Sequence, residues 1–312
     1  MGELEIGPFE VQHLAEAANL LAGMHATHFS RQPHLHPAPR FDELIEKERE
    51  HGRGFVAQRD GAVVAYMIGV PGDGAFGPHL MYQAHGVAWS DASAVAPLFG
   101  AVSETCVASG QTEQYVYVAD LAECIAPWFD LDFGTSAFQA ALDIQTYSLP
   151  ALNHSIRVRP GTSEDLREAA TMNRLMDLHI QRPPSFGTAP VGSLDEYEDD
   201  WATTWDDEQF HHLIAEAEGR AVGQVLLYRR PSDNLRVPPG SLDLAQAYVE
   251  PKWRRSGVMA ALLDASVQVL AREGGDVLIT DWRAGNFPAM TVWPTYGFVP
   301  TYRRLHRSIR SI

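Results

Sequence analysis

The sequence predicts an α/β (α+β) protein built as two copies of one unit, and three observations predict it. Strand-like and helix-like periodicities alternate along all 312 residues. The order of segments in the first half recurs in the second. The length suits about two ordinary domains.

In the first copy a helical stretch over residues 10–27 leads to "RFDELIEKEREHG". "GFVAQRDGAVVAYMIGV" follows and reads as two strands around a turn at Asp60-Gly61. In the second copy "TSEDLREAATMNRLMDLHI" and "SLDEYEDDWATTW" read as helices, and "HHLIAEAEGRAVGQVLLY" as two strands around Glu218-Gly219. Both helices open with a capping box, Thr162 with Asp165 and Ser193 with Glu196, in which each side chain satisfies a backbone N–H of the other. Each copy then continues strand, helix, strand, helix, strand. It ends on "PWFDLDFGTSAFQAALDI" in one case and "VWPTYGFVPTYRRLHRSI" in the other. Pro150 and polar residues interrupt the pattern near "YSLPALNHS", so the expected domains are 1–149 and 150–312.

Composition narrows the function. No apolar run reaches the roughly 18 residues of a membrane span, and "MGELEIGPFE" has neither the basic start nor the apolar core of a signal peptide. Cys106 and Cys124 are the only cysteines, so no disulfide framework is implied, and the expected setting is a reducing cytoplasm without membrane association. A net charge of −16 disfavours nucleic acid, whose phosphates need cationic contacts, and suits a cationic substrate.

The most informative stretch is "YVEPKWRRSGVMAALLDASV". "SLDLAQAYV" before it reads as a strand, residues 241–249, ended by Pro251. After it, Val258, Leu262, Ala265 and Val269 line up as one face of a helix, with Asp264 and Gln268 opposite. Arg254, Arg255, Ser256 and Gly257 thus form a loop at a helix N-terminus, where free N–H groups and the positive end of the dipole collect. Glycine lets the backbone approach a ligand closely, so the loop reads as a phosphate cradle. It lacks the Lys-Ser/Thr of a P-loop and the three-glycine spacing of a dinucleotide loop.

With that loop placed, the second copy resembles the GNAT superfamily of N-acetyltransferases, which use acetyl-coenzyme A. The family's loop is Q/R-x-x-G-x-G/A, met by Arg254 and Gly257, with Met259 at the last position. Its downstream pattern, N-x-x-A-x-x-x-Y then G-F, is met in "NFPAMTVWPTYGF" by Asn286, Ala289, Gly297 and Phe298, with Trp293 in the tyrosine's place. The resemblance covers most of residues 154–312 and extends weakly, through the repeat, to the first copy. It implies two tandem domains, each a mixed, mostly antiparallel central sheet flanked by helices.

The resemblance also implies roles. The backbone of Arg255, Ser256, Gly257, Val258 and Met259 should hold the pyrophosphate, with Arg254 and Arg255 adding charge. The main chain of Tyr248 and Val249, and the Asn286 amide, should meet the pantetheine arm. A backbone N–H near Val249 should polarise the thioester carbonyl, which a neutral amine attacks directly. Asp243, where several family members carry a glutamate, is the candidate base, with Glu250 as fallback. Period-two alternation sets Asp243 on one face with Ala245, Ala247 and Val249. Trp293 can hydrogen-bond a thiolate but not usefully protonate it, so Tyr296, one turn on, is the candidate acid; the alternatives are core packing for Tyr296 beside Gly297 and a thiolate that leaves and is protonated by water.

The first copy departs from the pattern. Its loop position reads "GVAWSDASAVAPLFG", with Ser90 and Ser93 as capping residues and Asp91 placed to repel phosphate. It is therefore expected to be a degenerate copy that serves as a packing partner. His25, His28, His34 and His36 lack the spacing of a zinc site, so no metal is expected. The acidic run of residues 195–208 reads as a solvated helix face bordering the acceptor site, with Trp201 and Trp205 burying its inner side. Arg303, Arg304, Arg307 and Arg310 read as exposed charges on an edge strand. The expected activity is acetyl transfer from acetyl-CoA to a primary amine of a small molecule, with a second copy of the chain as a candidate partner. The competing expectations are a non-catalytic acyl-CoA-binding scaffold and a protein N-acetyltransferase.

Overall fold

The computed structural model describes residues 2–32, 34–37, 39–73, 76–148, 153, 155–187 and 189–309. The first half runs β1 (Leu4–Pro8), α1 (Leu14–Arg31), α2 (Phe41–His51), β2 (Arg53–Arg59), β3 (Ala62–Gly72), β4 (His79–Tyr82), β5 (Val87–Trp89), α3 (Val95–Val107), β6 (Glu113–Ala119), α4 (Ala122–Phe129) and β7 (Gly134–Asp143). The second runs β8 (Arg157–Pro160), α5 (Leu166–Ile180), α6 (Leu194–Trp205), β9 (Phe210–Ala217), β10 (Arg220–Tyr228), β11 (Leu242–Val249), α7 (Val258–Arg272), β12 (Val277–Arg283), α8 (Phe287–Thr295) and β13 (Val299–Ser308). The succession of elements recurs, except that β4 and β5 stand in the first half where the second has β11 alone. Both capping boxes form, at Thr162 with Asp165 and Ser193 with Glu196. Among the described residues no helix is long and apolar enough to cross a membrane.

The chain divides into two compact units, one of residues 1–139, 233–238 and 300–312, the other of 140–232 and 239–299. These units cross the seam expected at 149/150, and Pro150 itself lies outside the described residues. In the first unit β13 pairs antiparallel with β6, Tyr302 opposite Ala119 and Ser308 opposite Glu113. Leu305 and Tyr302 bury themselves in that unit's cores. A strand's pattern tells which residues turn inward, not which sheet receives them.

This placement corrects the edge-strand reading of the arginines. Arg304 is buried with its guanidinium 4.8 Å from the Phe76 ring centre, Arg303 pairs with Asp120, and Arg307 donates to the Leu131 carbonyl at 2.7 Å. Arg310 lies outside the described residues. His25 and His28 are core residues of the same unit: His25 Nε2 lies 2.8 Å from the His36 carbonyl, and His28 packs edge-on to Tyr302. Burial, aided by His25, lowers His28 to about 4, so it packs as a neutral ring. Among the described residues no three His, Cys, Asp or Glu side chains gather to hold a metal.

In the second unit β8, β9, β10 and β11 pair antiparallel in that order and β12 joins β11 in parallel, a mixed, mostly antiparallel sheet. On one face Ala169 and Met172 of α5 and Trp201 of α6 bury against Ile214, Leu226 and Tyr248. Trp205 stacks on His212 at 3.9 Å. On the other face α7 lies so close that a Cβ on Gly223 would come within 2.9 Å of Val258. The register between β10 and β11 moves from Leu227 opposite Leu244 to Leu226 opposite Gln246, leaving Ala245 as a β-bulge. The bulge inverts the alternation that follows it. Asp243 therefore shares its face with Gln246 and Tyr248, not with Ala245, Ala247 and Val249 as simple period-two counting gives.

Candidate active site

The site starts where two neighbouring strands part. β11 and β12 pair only from Leu242 opposite Leu278 to Leu244 opposite Thr280, although both strands run on. Thr280 Oγ1 donates to the Leu244 carbonyl at 3.0 Å and closes the apex. The bulge at Ala245 follows at once, and the added twist of a bulge turns β11 away from its neighbour. Residues 245–249 then form one open arm, roughly 16 Å long at the usual rise of a strand.

The open end meets the arginine loop. A 3-10 turn over Pro251–Trp253 follows β11, and Arg255 (φ 64°) and Gly257 (φ 92°) both take left-handed conformations. At Gly257 a side chain is doubly disfavoured, by that φ and by Asn153, which a Cβ would approach to 3.3 Å. α7 starts directly after Gly257, and no side chain caps it. Its first N–H groups, those of Val258 and Met259, can have no partner within the helix. Ser256 turns inward instead: its hydroxyl donates to the Trp253 carbonyl at 2.6 Å, and its carbonyl accepts from Asn153 Nδ2 at 3.0 Å. Arg254 folds back, its Nε 3.4 Å from the Val249 carbonyl.

The far side of the opening is the start of α8, where Asn286 occupies the N-cap. Its Oδ1 is buried. His179, in the last turn of α5, sits beside Asn286 and Arg254. Burial, reinforced by Arg254 and Arg182, lowers its pKa and favours the neutral ring.

Residues 173–298 match the family model described as Acetyltransferase (GNAT) family. This segment is a GNAT acetyltransferase domain. Solved structures carry the same fold over the whole chain. A tandem GNAT protein from the clavulanic acid biosynthesis pathway is 13% identical, covering 98% of each chain with a TM-score of 0.57. A GCN5-related N-acetyltransferase from Sphaerobacter thermophilus is 15% identical, covering 98% of this chain and 96% of its own, with a TM-score of 0.64. A GNAT-family acetyltransferase from Colwellia psychrerythraea is 13% identical over 98% and 100%, with a TM-score of 0.53. No curated protein sequence matches the chain. The family model describes acetyltransferases, and it matches a segment of the second half of this chain.

Within the GNAT domain the acid and base candidates are held as follows. Asp243 is buried one residue before the apex, and its Oδ2 lies 2.6 Å from Arg230 Nε. Glu250 pairs with Arg220, which keeps its pKa low. Trp293 is buried edge-on to Phe298, with ring centres 5.3 Å apart. Tyr296 caps the C-terminus of α8 beside Tyr147, and burial raises its pKa. Gln246 and His179 escape sequence reasoning. The one signal for Gln246 is a polar residue between two alanines in an apolar strand, and His179 carries none.

The corresponding place in the first unit is built differently. There β4 and β6 pair in parallel from His79 opposite Glu113 to Tyr82 opposite Val116, while β5 goes to β3. The parting leaves a cavity of about 30 Å³ lined in part by Val87, Trp89, Tyr117 and Ala119, room for little more than water. The short 3-10 turn that leads into α3 is capped by Asp91. One carboxylate oxygen accepts from the Ser93 N–H at 3.0 Å and the Ser93 hydroxyl at 2.6 Å, and the other accepts from Arg59 Nε at 2.8 Å. The cap is thus Asp91 itself, not Ser90 or Ser93. Ser93 and Arg59 hold its carboxyl below the usual range.

Proposed function

We propose that this chain transfers an acetyl group from acetyl-CoA to a primary amine of a small molecule, by direct attack in a ternary complex. In this reading the copy in residues 150–312 carries the site, and the copy in residues 1–149 carries none. The observation that supports it is the parting of β11 from β12 onto the uncapped start of α7. The residues present fit the co-substrate. Its pyrophosphate is an anion for the N–H groups of Gly257, Val258 and Met259, with Arg254 and Arg255 beside them. Its pantetheine amides can pair with the free edge at Tyr248 and Val249 and with the Asn286 amide at the start of α8.

Acetyl-CoA supplies the thioester carbon, and the chain supplies the rest. A free backbone N–H on the open arm polarises the carbonyl. Asp243, whose Oδ2 lies 2.6 Å from Arg230 Nε, takes the proton that the ammonium must lose. The C–N bond forms, the C–S bond breaks, the nitrogen gives its second proton to solvent, and sulfur keeps its electron pair until solvent protonates it. Trp293, held in the core, is not needed for that last step. The net charge of −16 and the exposed Asp195, Asp199 and Asp200 on α6 support a cationic acceptor. Thiol release from acetyl-CoA in the presence of small amines is the test. Release with peptide N-termini or lysines alone would make the acceptor a protein. Binding of acetyl-CoA without release for any amine would leave a scaffold.

A further inference from the structure

We infer that Gln246 determines acceptor specificity by taking a hydrogen bond from the acceptor nitrogen, so that the site prefers primary over N-methylated amines; the inference rests on the acetyltransferase reading above. Three observations carry it. Gln246 lies on the open arm of β11, two residues past the Leu244–Thr280 apex, where β12 no longer covers the strand. The bulge at Ala245 turns Gln246 onto the same face as Asp243. Its Oε1 is buried and has no hydrogen-bond partner among the described residues, while the residue as a whole keeps partial exposure.

Native structures rarely leave a buried acceptor without a partner, so an N–H on a ligand is its natural complement. Gln224, diagonal to Gln246 on the same face, also has an unpartnered buried Oε1, but it is wholly buried, out of a ligand's reach, while Gln246 keeps partial exposure. The Gln224 amide is anchored, Nε2 donating to the Ala169 carbonyl of α5 at 3.0 Å. No such anchor holds Gln246 among the described residues. A neutral primary amine carries two N–H groups and one lone pair. With the lone pair aimed at the thioester carbon, one N–H suits Gln246 Oε1 and the other the carboxylate of Asp243. A secondary amine has one N–H too few and leaves one acceptor unsatisfied. Sites built to bond a substrate N–H reject analogues that lack it.

The experiment compares wild type with Gln246→Leu and Gln246→Glu. Acetyl-CoA affinity is measured by calorimetry, and thiol release is followed with n-propylamine, putrescine, lysine and glucosamine. The fastest of these is then set against its N-methyl form. Gln246→Leu, of similar size but without an acceptor, is expected to raise the amine KM about tenfold or more and to erase the preference for the unmethylated form. Its acetyl-CoA affinity should stay within about threefold of wild type. Gln246→Glu keeps an oxygen acceptor and should keep the preference. If Gln246→Leu matches wild type in amine KM and in preference, the inference is overturned while the acetyltransferase reading stands. If wild type fails to bind acetyl-CoA, or binds it and releases no thiol with any amine, the reading itself fails and the inference goes with it.

Discussion

The starts of α7 and α3 are the same place in two copies of one fold, and they treat an anion in opposite ways. At α7 the backbone swings through left-handed Arg255 and Gly257 and delivers a helix end that no side chain caps. Ahead of α3 the chain delivers Asp91, whose carboxylate already accepts from Ser93 and is pinned by Arg59. The difference teaches that an anion site is a helix start whose N–H groups are left unclaimed. Ahead of α3 one aspartate, held by one arginine, claims such an N–H from within the chain. A lesser contrast stands at the first turn of each copy, where Glu10 with His13 forms the capping box in one and Thr162 with Asp165 in the other. Only the second is clamped further, by Arg159 at 2.7 Å.

The comparison breaks most readily at Gly257. Gly257→Glu sets a carboxylate in the cradle, on a backbone that disfavours any side chain, and should weaken acetyl-CoA binding by about 100-fold or more in calorimetry. Asp243→Asn separates binding from chemistry. It should lower kcat by about 100-fold and leave acetyl-CoA affinity unchanged. An unaltered kcat would leave Asp243 as the anchor of Arg230 alone. Asp91→Ala removes the internal anion and should cost about 1 kcal/mol in chemical denaturation, the usual worth of a cap. It should create no second acetyl-CoA site, because the cavity behind it stays too small.

The smallest effect concerns pH. Hydrogen bonds from Arg159 lower the Asp165 carboxyl to about 2. A depressed carboxylate adds stability that is present above its unfolded pKa, about 4, and lost as pH falls through the folded value of about 2. Asp165→Asn should therefore cost less than about 1 kcal/mol at neutral pH, solvent screening included. The difference from wild type should fade between about pH 4 and pH 2. Urea melts across that range measure it.

Features with short-range causes were legible in the sequence. The capping boxes and the turns at Asp60-Gly61 and Glu218-Gly219 place their partners within a few residues, and the arginine-glycine loop announces itself between a strand and a helix. What escaped depends on distant partners or on a one-residue slip. Arg59 reaches Asp91 across thirty-two positions, and β13, late in the chain, finds β6 within the first unit. The bulge at Ala245 is invisible to an alternation rule, yet it decides that Gln246 rather than Ala247 joins Asp243. His179 reaches Asn286 and Arg254 only through the packing of α5.

Calorimetric titration of acetyl-CoA into the whole chain, read for stoichiometry, tests the asymmetry most directly. One site per chain, lost in Gly257→Glu, is the predicted result. Two sites would show that Asp91 does not close the first copy, and no binding would remove the cofactor from the second.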